Sequence, residues 1–257
     1  MKFTQLRNAT AKIEYAGKRI LVDPVLAAKG AYPGFEGTIN SDKFNPLVDL
    51  PVPVDEILDV DAVIVTHTHS DHWDEAAKKL IPKDMLIFAQ NEKDAAEIEG
   101  AGFSNTRILT ERTVFDGITL IKTPGQHGSD DAMAKMGDRL GKVCGVVFRH
   151  SDEKTLYLAG DTVWNQEVAE NLDQHAPDVI VLNCGDAQII GLGSIIMNKK
   201  DVYEIYQAAP GAAIIASHME SVNHAVLSRK ELRDFLRENG MMQRVFVPED
   251  GESCLFR

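Results

Sequence analysis

Four side chains that commonly bind metal ions lie within six residues of one another in this chain. They belong to the run Thr66-His67-Thr68-His69-Ser70-Asp71-His72, which directly follows the apolar stretch Ala62-Val63-Ile64-Val65. A tight turn at the end of a buried strand could direct two imidazoles to one cation and a carboxylate with an imidazole to a second. A polar turn rich in His is the alternative, but only 8 of 257 residues are His, so this spacing is improbable by composition alone.

Three other polar residues also follow apolar stretches of the chain, and they are His127, Asp161 and His218. Each stands where a hydrophobic strand is predicted to end. Loops at strand ends can direct side chains to a site without breaking the hydrogen bonds of the sheet. Taken alone, His127 is better explained as a buried structural His or a turn residue, and Asp161 fits a helix cap.

Together these motifs resemble the signature of the metallo-β-lactamase superfamily of metal-dependent hydrolases. The resemblance extends to the N-terminal segment Ile20-Leu21-Val22-Asp23-Pro24 and so spans nearly the whole chain. It implies a first metal bound by three His residues, a second bound by two His and one Asp, and one bridging Asp. In that order the implied ligands are His67, His69 and His127; Asp71, His72 and His218; and Asp161. The expected cofactors are two divalent metal ions, with Zn²⁺ favoured and Mn²⁺ or Fe compatible.

Two cations about 3.5–4 Å apart lower the pKa of a shared water towards about 7, so hydrolysis without a covalent intermediate is the expected chemistry. Asp71 is expected to be essential for turnover. His224 either donates a proton to the leaving group or stabilises a substrate oxyanion, although a helix-capping or surface His fits the sequence equally well. Asp23 is expected to accept a hydrogen bond from a ligand imidazole or from the backbone of the ligand loop. His150 and His175 are predicted to be exposed to solvent.

Alternating strand and helix patterns in both halves of the chain favour two sheets packed face to face with helices outside. This is the four-layer αββα sandwich that the resemblance implies. Strands are predicted at 3–7, 11–15, 19–23, 62–65, 86–89, 118–121, 145–149, 155–159, 178–183, 212–217, 244–247 and 253–256. Helices are predicted at 74–80, 91–100, 165–174, 200–208 and 228–238, with Gly100 ending the second of them. No linker or short repeat divides the chain, so we expect a single domain over residues 1–257.

Three long stretches carry no clear helix or strand pattern, and they are 26–54, 128–142 and 184–198. Loops of such length in a compact domain are usually functional or disordered. The first stretch contains the aromatic residues Tyr32, Phe35 and Phe44. It is therefore a candidate lid over the substrate, with an ordered surface loop as the alternative.

The charge balance and the cysteines narrow the expected partners. Lys and Arg number 27 against 39 Asp and Glu, which gives a net charge of −12. This charge opposes contact with nucleic acid or anionic membranes. The cysteines Cys144, Cys184 and Cys254 are odd in number and show no Cys-x-x-Cys spacing, and no signal peptide is evident, so a cytoplasmic protein is expected. The sequence is compatible with a homo-oligomer.

The expected activity is hydrolysis of an ester, lactone, amide or phosphoester bond in a small metabolite. Segments 11–15, 20–24, 217–220 and 223–224 are similar to the branch of the superfamily that contains the L-ascorbate-6-phosphate lactonase. A mononuclear iron oxidoreductase, a nuclease or phosphodiesterase, and a noncatalytic binding module are the alternatives. Cations that could contact a phosphorylated substrate are Lys29, Lys43, Arg139, Lys142, Lys199, Lys200 and Arg229.

Overall fold

The computed structural model describes residues 1–257. Its strands are, in chain order, β1 (Lys2–Arg7), β2 (Thr10–Tyr15), β3 (Lys18–Val22), β4 (Ala62–Val65), β5 (Ile87–Ala89), β6 (Thr106–Ile108), β7 (Thr113–Phe115), β8 (Ile118–Gly125), β9 (Val143–Arg149), β10 (Leu156–Leu158), β11 (Val179–Asn183), β12 (Gln188–Ile189), β13 (Gly193–Ser194), β14 (Ala213–Ser217), β15 (Val245–Phe246) and β16 (Ser253–Leu255). Its helices are α1 (Val54–Leu58), α2 (Glu75–Leu80), α3 (Glu92–Gly100), α4 (Asp130–Leu140), α5 (Gln166–His175), α6 (Lys199–Ala208) and α7 (Arg229–Glu238).

The first sheet has the strand order β16-β1-β2-β3-β4-β5-β6. Its first four strands pair antiparallel, as the N-terminal hairpin pattern predicts, and β3 to β6 pair parallel. The turn between β2 and β3 places Ala16 and Gly17 at φ of 48° and 77°, the backbone geometry that two-residue hairpin turns require. The parallel strands β3 and β4 therefore end at the same edge, where Asp23 and the metal-binding run begin.

The second sheet repeats this sequence of pairings. In the order β7-β8-β9-β10-β11-β14-β15, the first four strands are antiparallel and the last four are parallel. In each sheet the fourth strand is the one at which pairing changes direction. Strands β10, β11 and β14 run parallel, so the loops that follow them also meet at one edge.

Three apolar layers hold the two sheets and the helices together. One layer lies between the sheets and includes Ile13 and Ile64 from the first sheet with Leu120 and Val146 from the second. A second layer joins the first sheet to α1, α2 and α3, and a third joins the second sheet to α5, α6 and α7. Strand β4 is buried at every position because it is covered on both faces. The predicted αββα sandwich is confirmed.

The five predicted helices are present, with no boundary shifted by more than one residue. The second of them ends at Gly100 as predicted, and the positive φ of 94° that follows it lies at Gly102. The stretch 128–142, which showed no clear pattern in the sequence, contains α4. Ser129 caps this helix by accepting from the backbone N–H of Ala132, and the backbone kinks at Met136. Polar residues and an internal Gly137 weaken the periodic signal there.

The two other unassigned stretches are mostly irregular. Residues 184–198 contain the short hairpin of β12 and β13. Residues 26–54 form a long loop with one isolated bridge inside it, between Tyr32 and Asn45, and one isolated bridge to the rest of the chain, between Thr38 and Ile189. None of the helices combines the length and the apolar character needed to cross a bilayer.

Candidate metal centre

The run that follows β4 is held as a compact turn. The backbone N–H groups of His72 and Trp73 both donate to the carbonyl of His69 at 2.8 Å. Asp23, at the end of β3, accepts from the Thr66 N–H and from the Thr66 hydroxyl, each at 2.7 Å. The neighbouring strand thus fixes the loop, as expected for Asp23.

All seven predicted ligands lie together at one edge of the two sheets. They form three overlapping groups in which one ligand atom per residue lies within 4.8 Å of the others. The groups are His67, His69 and His127; His67, His72 and Asp161; and Asp71, His72 and His218. The first and third groups match the two metal positions that the resemblance implies, apart from the shared Asp161.

Asp161 lies at the centre of this cluster. Its Oδ2 atom is 3.1 Å from His72 Nε2, 3.7 Å from His127 Nε2 and 3.9 Å from His67 Nε2. Its Oδ1 atom is 3.8 Å from His218 Nε2. One carboxylate therefore contacts imidazoles from both sets of predicted ligands, as a bridging ligand must.

The orientation of the rings fits a cation in the cluster. Three imidazoles hydrogen-bond outward, and the contacts are His72 Nδ1 to Asp23 Oδ2 (2.9 Å), His127 Nδ1 to Ile195 O (2.9 Å) and His69 Nε2 to Arg139 O (3.1 Å). An imidazole that donates from one nitrogen presents the lone pair of the other. The inward nitrogens nearly touch, at 3.1 Å between His67 Nε2 and His69 Nδ1 and 3.2 Å between His72 Nε2 and His218 Nε2. A metal ion is the natural partner for lone pairs that converge in this way.

The electrostatics of the cluster favour positive charge at its centre. Burial alone lowers the pKa of His72, but the carboxylates of Asp161 and Asp23 outweigh it and raise that pKa well above its ordinary value. Burial raises the pKa of Asp161, yet the neighbouring charges of His72 and His218 bring it well below the usual range. The pKa of Asp71 is lowered as well, against the effect of burial, by the His218 imidazole, whose Nε2 lies 3.6 Å from Asp71 Oδ2. Both carboxylates of the cluster are thus ionised.

The turn that carries His218 is conformationally constrained. His218 and Glu220 both have a φ of 59°, a region that residues other than glycine seldom occupy. The His218 carbonyl passes so close to Gly185 that a Cβ atom there would lie 2.0 Å from the carbonyl oxygen. Arg229 secures the turn, since its guanidinium donates to Glu220 Oε2 at 2.9 Å and also pairs with Asp250.

Two asparagines that sequence reasoning missed support the ligands. Asn183 donates from Nδ2 to Asp161 Oδ1 at 2.8 Å. Asn8 donates from Nδ2 to the Asp71 carbonyl at 2.6 Å, and the backbone carbonyl of Asn8 accepts from the His218 N–H at 3.0 Å. Asn183 ends an apolar strand, so its position at a strand end could have indicated it. Asn8 directly follows the predicted strand 3–7, so its position could have indicated it as well.

A cavity of about 200 Å³ opens beside the ligands. Its walls include Phe35, Leu140, Ile189 and Ile195, and Arg139 is the only Lys or Arg that lines it. Among the other cations considered from the sequence, Arg229 is engaged in the ion pairs described above. Lys142 lines a second groove, which shares His69 and Arg139 with this cavity.

His224 also lines this cavity, and it is only 5% exposed. Its ring packs edge-on against Phe35 with centroids 4.9 Å apart, and its Nδ1 atom has no hydrogen-bond partner. Burial lowers the pKa of His224 to about 4. The surface and helix-capping alternatives for His224 are therefore wrong.

The other sequence-based expectations have mixed outcomes. His175 is buried at 8% exposure rather than exposed, because it ends α5 against the second sheet and its ring contacts Arg149. His150 is half-buried. In the loop 26–54, Phe35 reaches the cavity but Phe44 is 60% exposed and does not cover it.

Comparisons with known proteins agree with this fold and cluster. The family model described as "Beta-lactamase superfamily domain" matches residues 18–219. The UPF0173 protein YddR of Bacillus subtilis (strain 168) is 52% identical over 100% of both chains, and a UPF0173 metal-dependent hydrolase of Caldivirga maquilingensis is 25% identical over 96% of this chain and 94% of that one. The crystal structure of an isothiocyanate hydrolase from Delia radicum gut bacteria is 52% identical, covers 100% of this chain and 99% of its own, and superposes with a TM-score of 0.97.

A protein with this fold and cluster is a metal-dependent hydrolase of the β-lactamase superfamily. Within that superfamily the chain belongs to the UPF0173 family.

Proposed function

We propose that this protein is a two-metal hydrolase of small, uncharged electrophilic compounds, and that isothiocyanates are its substrate class. One observation carries the proposal: the cavity beside the ligands has apolar walls and a single cationic side chain. The likeness to the solved isothiocyanate hydrolase along the whole chain supports the choice of substrate. A volume of about 200 Å³ suits a molecule smaller than the drug-sized ligands of pockets of about 300–1,000 Å³.

The proposed ligand roles follow the three groups in the cluster. His67, His69 and His127 would hold one cation, Asp71, His72 and His218 would hold the other, and Asp161 would be shared between them. Zn²⁺ is the expected metal, with Mn²⁺ or Fe compatible with the same donors. When bound, two such cations supply hydroxide near neutral pH by lowering the pKa of a shared water.

The overall reaction is R–N=C=S + H₂O → R–NH₂ + COS. The oxygen of water bonds to the central carbon, and the nitrogen gains a proton. The C–N bond then breaks, its electron pair and a second proton go to nitrogen, and the amine and carbonyl sulfide leave. We propose that His224, neutral at pH 7, hydrogen-bonds to the heteroatom that gains negative charge. The apolar wall at Phe35 contacts the substituent R.

Hydrolysis of a lactone or ester is the second candidate. The resemblance of segments 11–15 and 217–220 to the lactonase branch supports it, and a carbonyl carbon is attacked by the same nucleophile. A phosphorylated substrate is less well supported, because Arg139 is the only Lys or Arg side chain that lines the cavity. Its guanidinium already donates to the Glu36 carbonyl at 2.8 Å. The net charge of −12 likewise argues against nucleic acid as substrate.

The test uses the full-length protein stripped of metal with a chelator and reloaded with Zn²⁺ or Mn²⁺. Benzyl isothiocyanate is the probe, and benzylamine and carbonyl sulfide are measured alongside a panel of lactones, esters and phosphodiesters. We expect metal-dependent release of both products without oxygen uptake, which separates hydrolysis from an iron oxidoreductase. Turnover that survives metal removal, or a panel in which only lactones react, would overturn the isothiocyanate proposal.

A further inference from the structure

Asn223, the residue before His224, is 2% exposed and uses all of its polar groups in hydrogen bonds. Its side-chain oxygen accepts from two donors, its side-chain nitrogen donates to two acceptors, and its backbone groups make one bond each. The contacts are Oδ1 with Phe35 N (3.1 Å) and Asn45 Nδ2 (2.9 Å), Nδ2 with Thr38 Oγ1 (2.9 Å) and Ile39 O (2.8 Å), N with Asn45 Oδ1 (2.8 Å), and O with Asn40 Nδ2 (3.1 Å).

Every one of these partners lies between residues 35 and 45 of the long loop. This segment has no helix or extended strand of its own, so its conformation depends on contacts made from outside. Asn223 supplies six of them from one buried position. Arg139 adds a contact from α4 through the Glu36 carbonyl.

The same segment forms one wall of the substrate cavity. Phe35 and Thr38 line the cavity, and the backbone of Phe35 and the side chain of Thr38 both bond directly to Asn223. The Phe35 ring rests on His224, with the two ring planes at 78°. Asn223 is hydrogen-bonded to the wall at Phe35 and Thr38 and is covalently joined to His224. It therefore sets the distance between the wall and His224.

We propose that Asn223 is a positioning residue that fixes residues 35–45 as a rigid wall and so determines which substituents fit beside His224. The proposal rests on the proposed function for its substrates. The loop is then a fixed part of the pocket and not a lid that opens at each turnover. Selection by size follows, because an apolar wall that cannot retreat excludes bulky groups.

Loss of the Asn223 amide leaves buried groups of the segment without partners. The Phe35 N–H, the Ile39 carbonyl and the Asn45 amide must then reach water, because unpaired buried polar groups are costly. The segment moves outward as they do so, and Phe35 leaves His224. The metal ligands receive no hydrogen bond from Asn223, so metal binding stays intact.

The test compares wild type with Asn223→Ala on methyl, benzyl and naphthylmethyl isothiocyanate. We expect the preference of the wild type for the smaller substituents, expressed as a ratio of kcat/KM values, to shrink by about tenfold, mainly through KM. Metal content stays at the wild-type value. Phe35→Ala is expected to shrink the same ratio, and the double variant to add little, since Asn223 acts through Phe35. Phe44→Ala, in the same segment but exposed, is the matched control and leaves the ratio unchanged.

Hydrogen–deuterium exchange provides a readout that needs no substrate. In Asn223→Ala the amides of residues 35–45 are expected to exchange at least about tenfold faster. Asn223→Asp is isosteric and serves as the second variant if Asn223→Ala folds poorly. It keeps the hydrogen bonds accepted at Oδ1 and loses those donated from Nδ2. Its faster exchange is therefore confined to residues 38–40.

Unchanged exchange in both Asn223 variants would overturn the proposal, as would an unchanged size ratio in Asn223→Ala. A uniform loss of kcat with loss of metal would also overturn it, because it would assign Asn223 to the metal centre. If the wild type hydrolyses no isothiocyanate, the proposed function fails, while the exchange experiment still decides whether Asn223 fixes the wall.

Discussion

At the scale of single residues, the carboxylates of Asp23 and Asp161 contact the two ring nitrogens of His72. His72 donates from Nδ1 to Asp23 at 2.9 Å, and its Nε2 lies 3.1 Å from Asp161. Asp23 also accepts two hydrogen bonds from Thr66. One carboxylate thereby fixes the tautomer and orientation of a ligand without being a ligand itself.

Asp23→Asn is expected to lower metal affinity by about 10–100-fold, because an amide can hydrogen-bond His72 but cannot supply the charge that orients it. Competition with a chelating dye measures the affinity. Asp84→Asn, at an exposed position, is the control. Equal affinities in wild type and Asp23→Asn would show that the contact only stabilises the fold.

His224 offers a pH test. Since burial depresses its pKa from 6.5 to about 4, the ring stays neutral as the pH falls from 8 to 5. His224→Ala is expected to lower kcat by about 100-fold through loss of a hydrogen bond to the transition state. His224→Gln, which keeps a donor, retains more activity, and its pH–rate profile between pH 5 and 8 has the shape of the wild-type profile. A limb of that profile that disappears in His224→Gln would mean that His224 titrates in this range.

At the scale of elements, short turns after parallel strands carry the chemistry. The turn after β14 holds His218 at positive φ, and it packs against the turn after β11 at Gly185. The approach is possible only because Gly185 has no Cβ. The turns after the neighbouring strands β11 and β14 must therefore fit against each other for His218 to reach the cluster.

Gly185→Ala is expected to destabilise the protein by about 1–3 kcal/mol and to reduce metal content, because the added Cβ pushes against backbone and displaces His218. Thermal unfolding and elemental analysis measure the two effects. Gly100→Ala is the control, since a Cβ there meets nothing within 4 Å and Ala favours the helix. Full metal content in Gly185→Ala would contradict the link to His218.

At the end of α5, burial affects the pKa of His175 more strongly than the helix dipole does. A helix C-terminus stabilises a protonated His, yet burial and the charge of Arg149 lower the pKa of His175. Its neutral form therefore contributes stability above the unfolded-state pKa of about 6.5, and this contribution is lost as the pH falls below that value. Between pH 7 and 5 the Tm of wild type should fall more than that of His175→Gln. Parallel Tm curves for the two proteins would exclude this contribution.

At the scale of the whole molecule, the two sheets use one pattern of pairing twice. Asp23 follows the fourth strand of the first sheet, and Asp161 follows the fourth strand of the second. Face-to-face packing brings these two strand ends to the same edge, which is why both carboxylates reach His72. The metal centre consequently joins loops of both halves.

Metal removal should therefore destabilise the whole protein. Binding to the native state alone contributes about 2.7 kcal/mol when free metal exceeds its Kd by about 100-fold. A chelator is expected to lower Tm in wild type and to have little effect on Asp161→Asn, which lacks the charge shared by both ligand sets. Calorimetry with and without chelator measures this, and an equal Tm in both conditions for wild type would contradict it.

The sequence alone determined the sandwich architecture, the edge that bears the site, and the seven side chains that meet there. The architecture follows from apolar runs of defined period. The seven side chains follow from motifs directly after those runs that resemble the metallo-β-lactamase signature, and both kinds of signal are local properties of the chain. Only the tertiary structure decided the burial of His224, the contacts of Asn8 and Asn183, the helix at 130–140 and the wall that Asn223 holds. The helix escaped prediction because polar residues and Gly137 weaken its periodic signal. The other features arise where loops distant in the chain meet, and their asparagines and aromatic residues show no periodicity before the fold brings their partners within hydrogen-bonding distance.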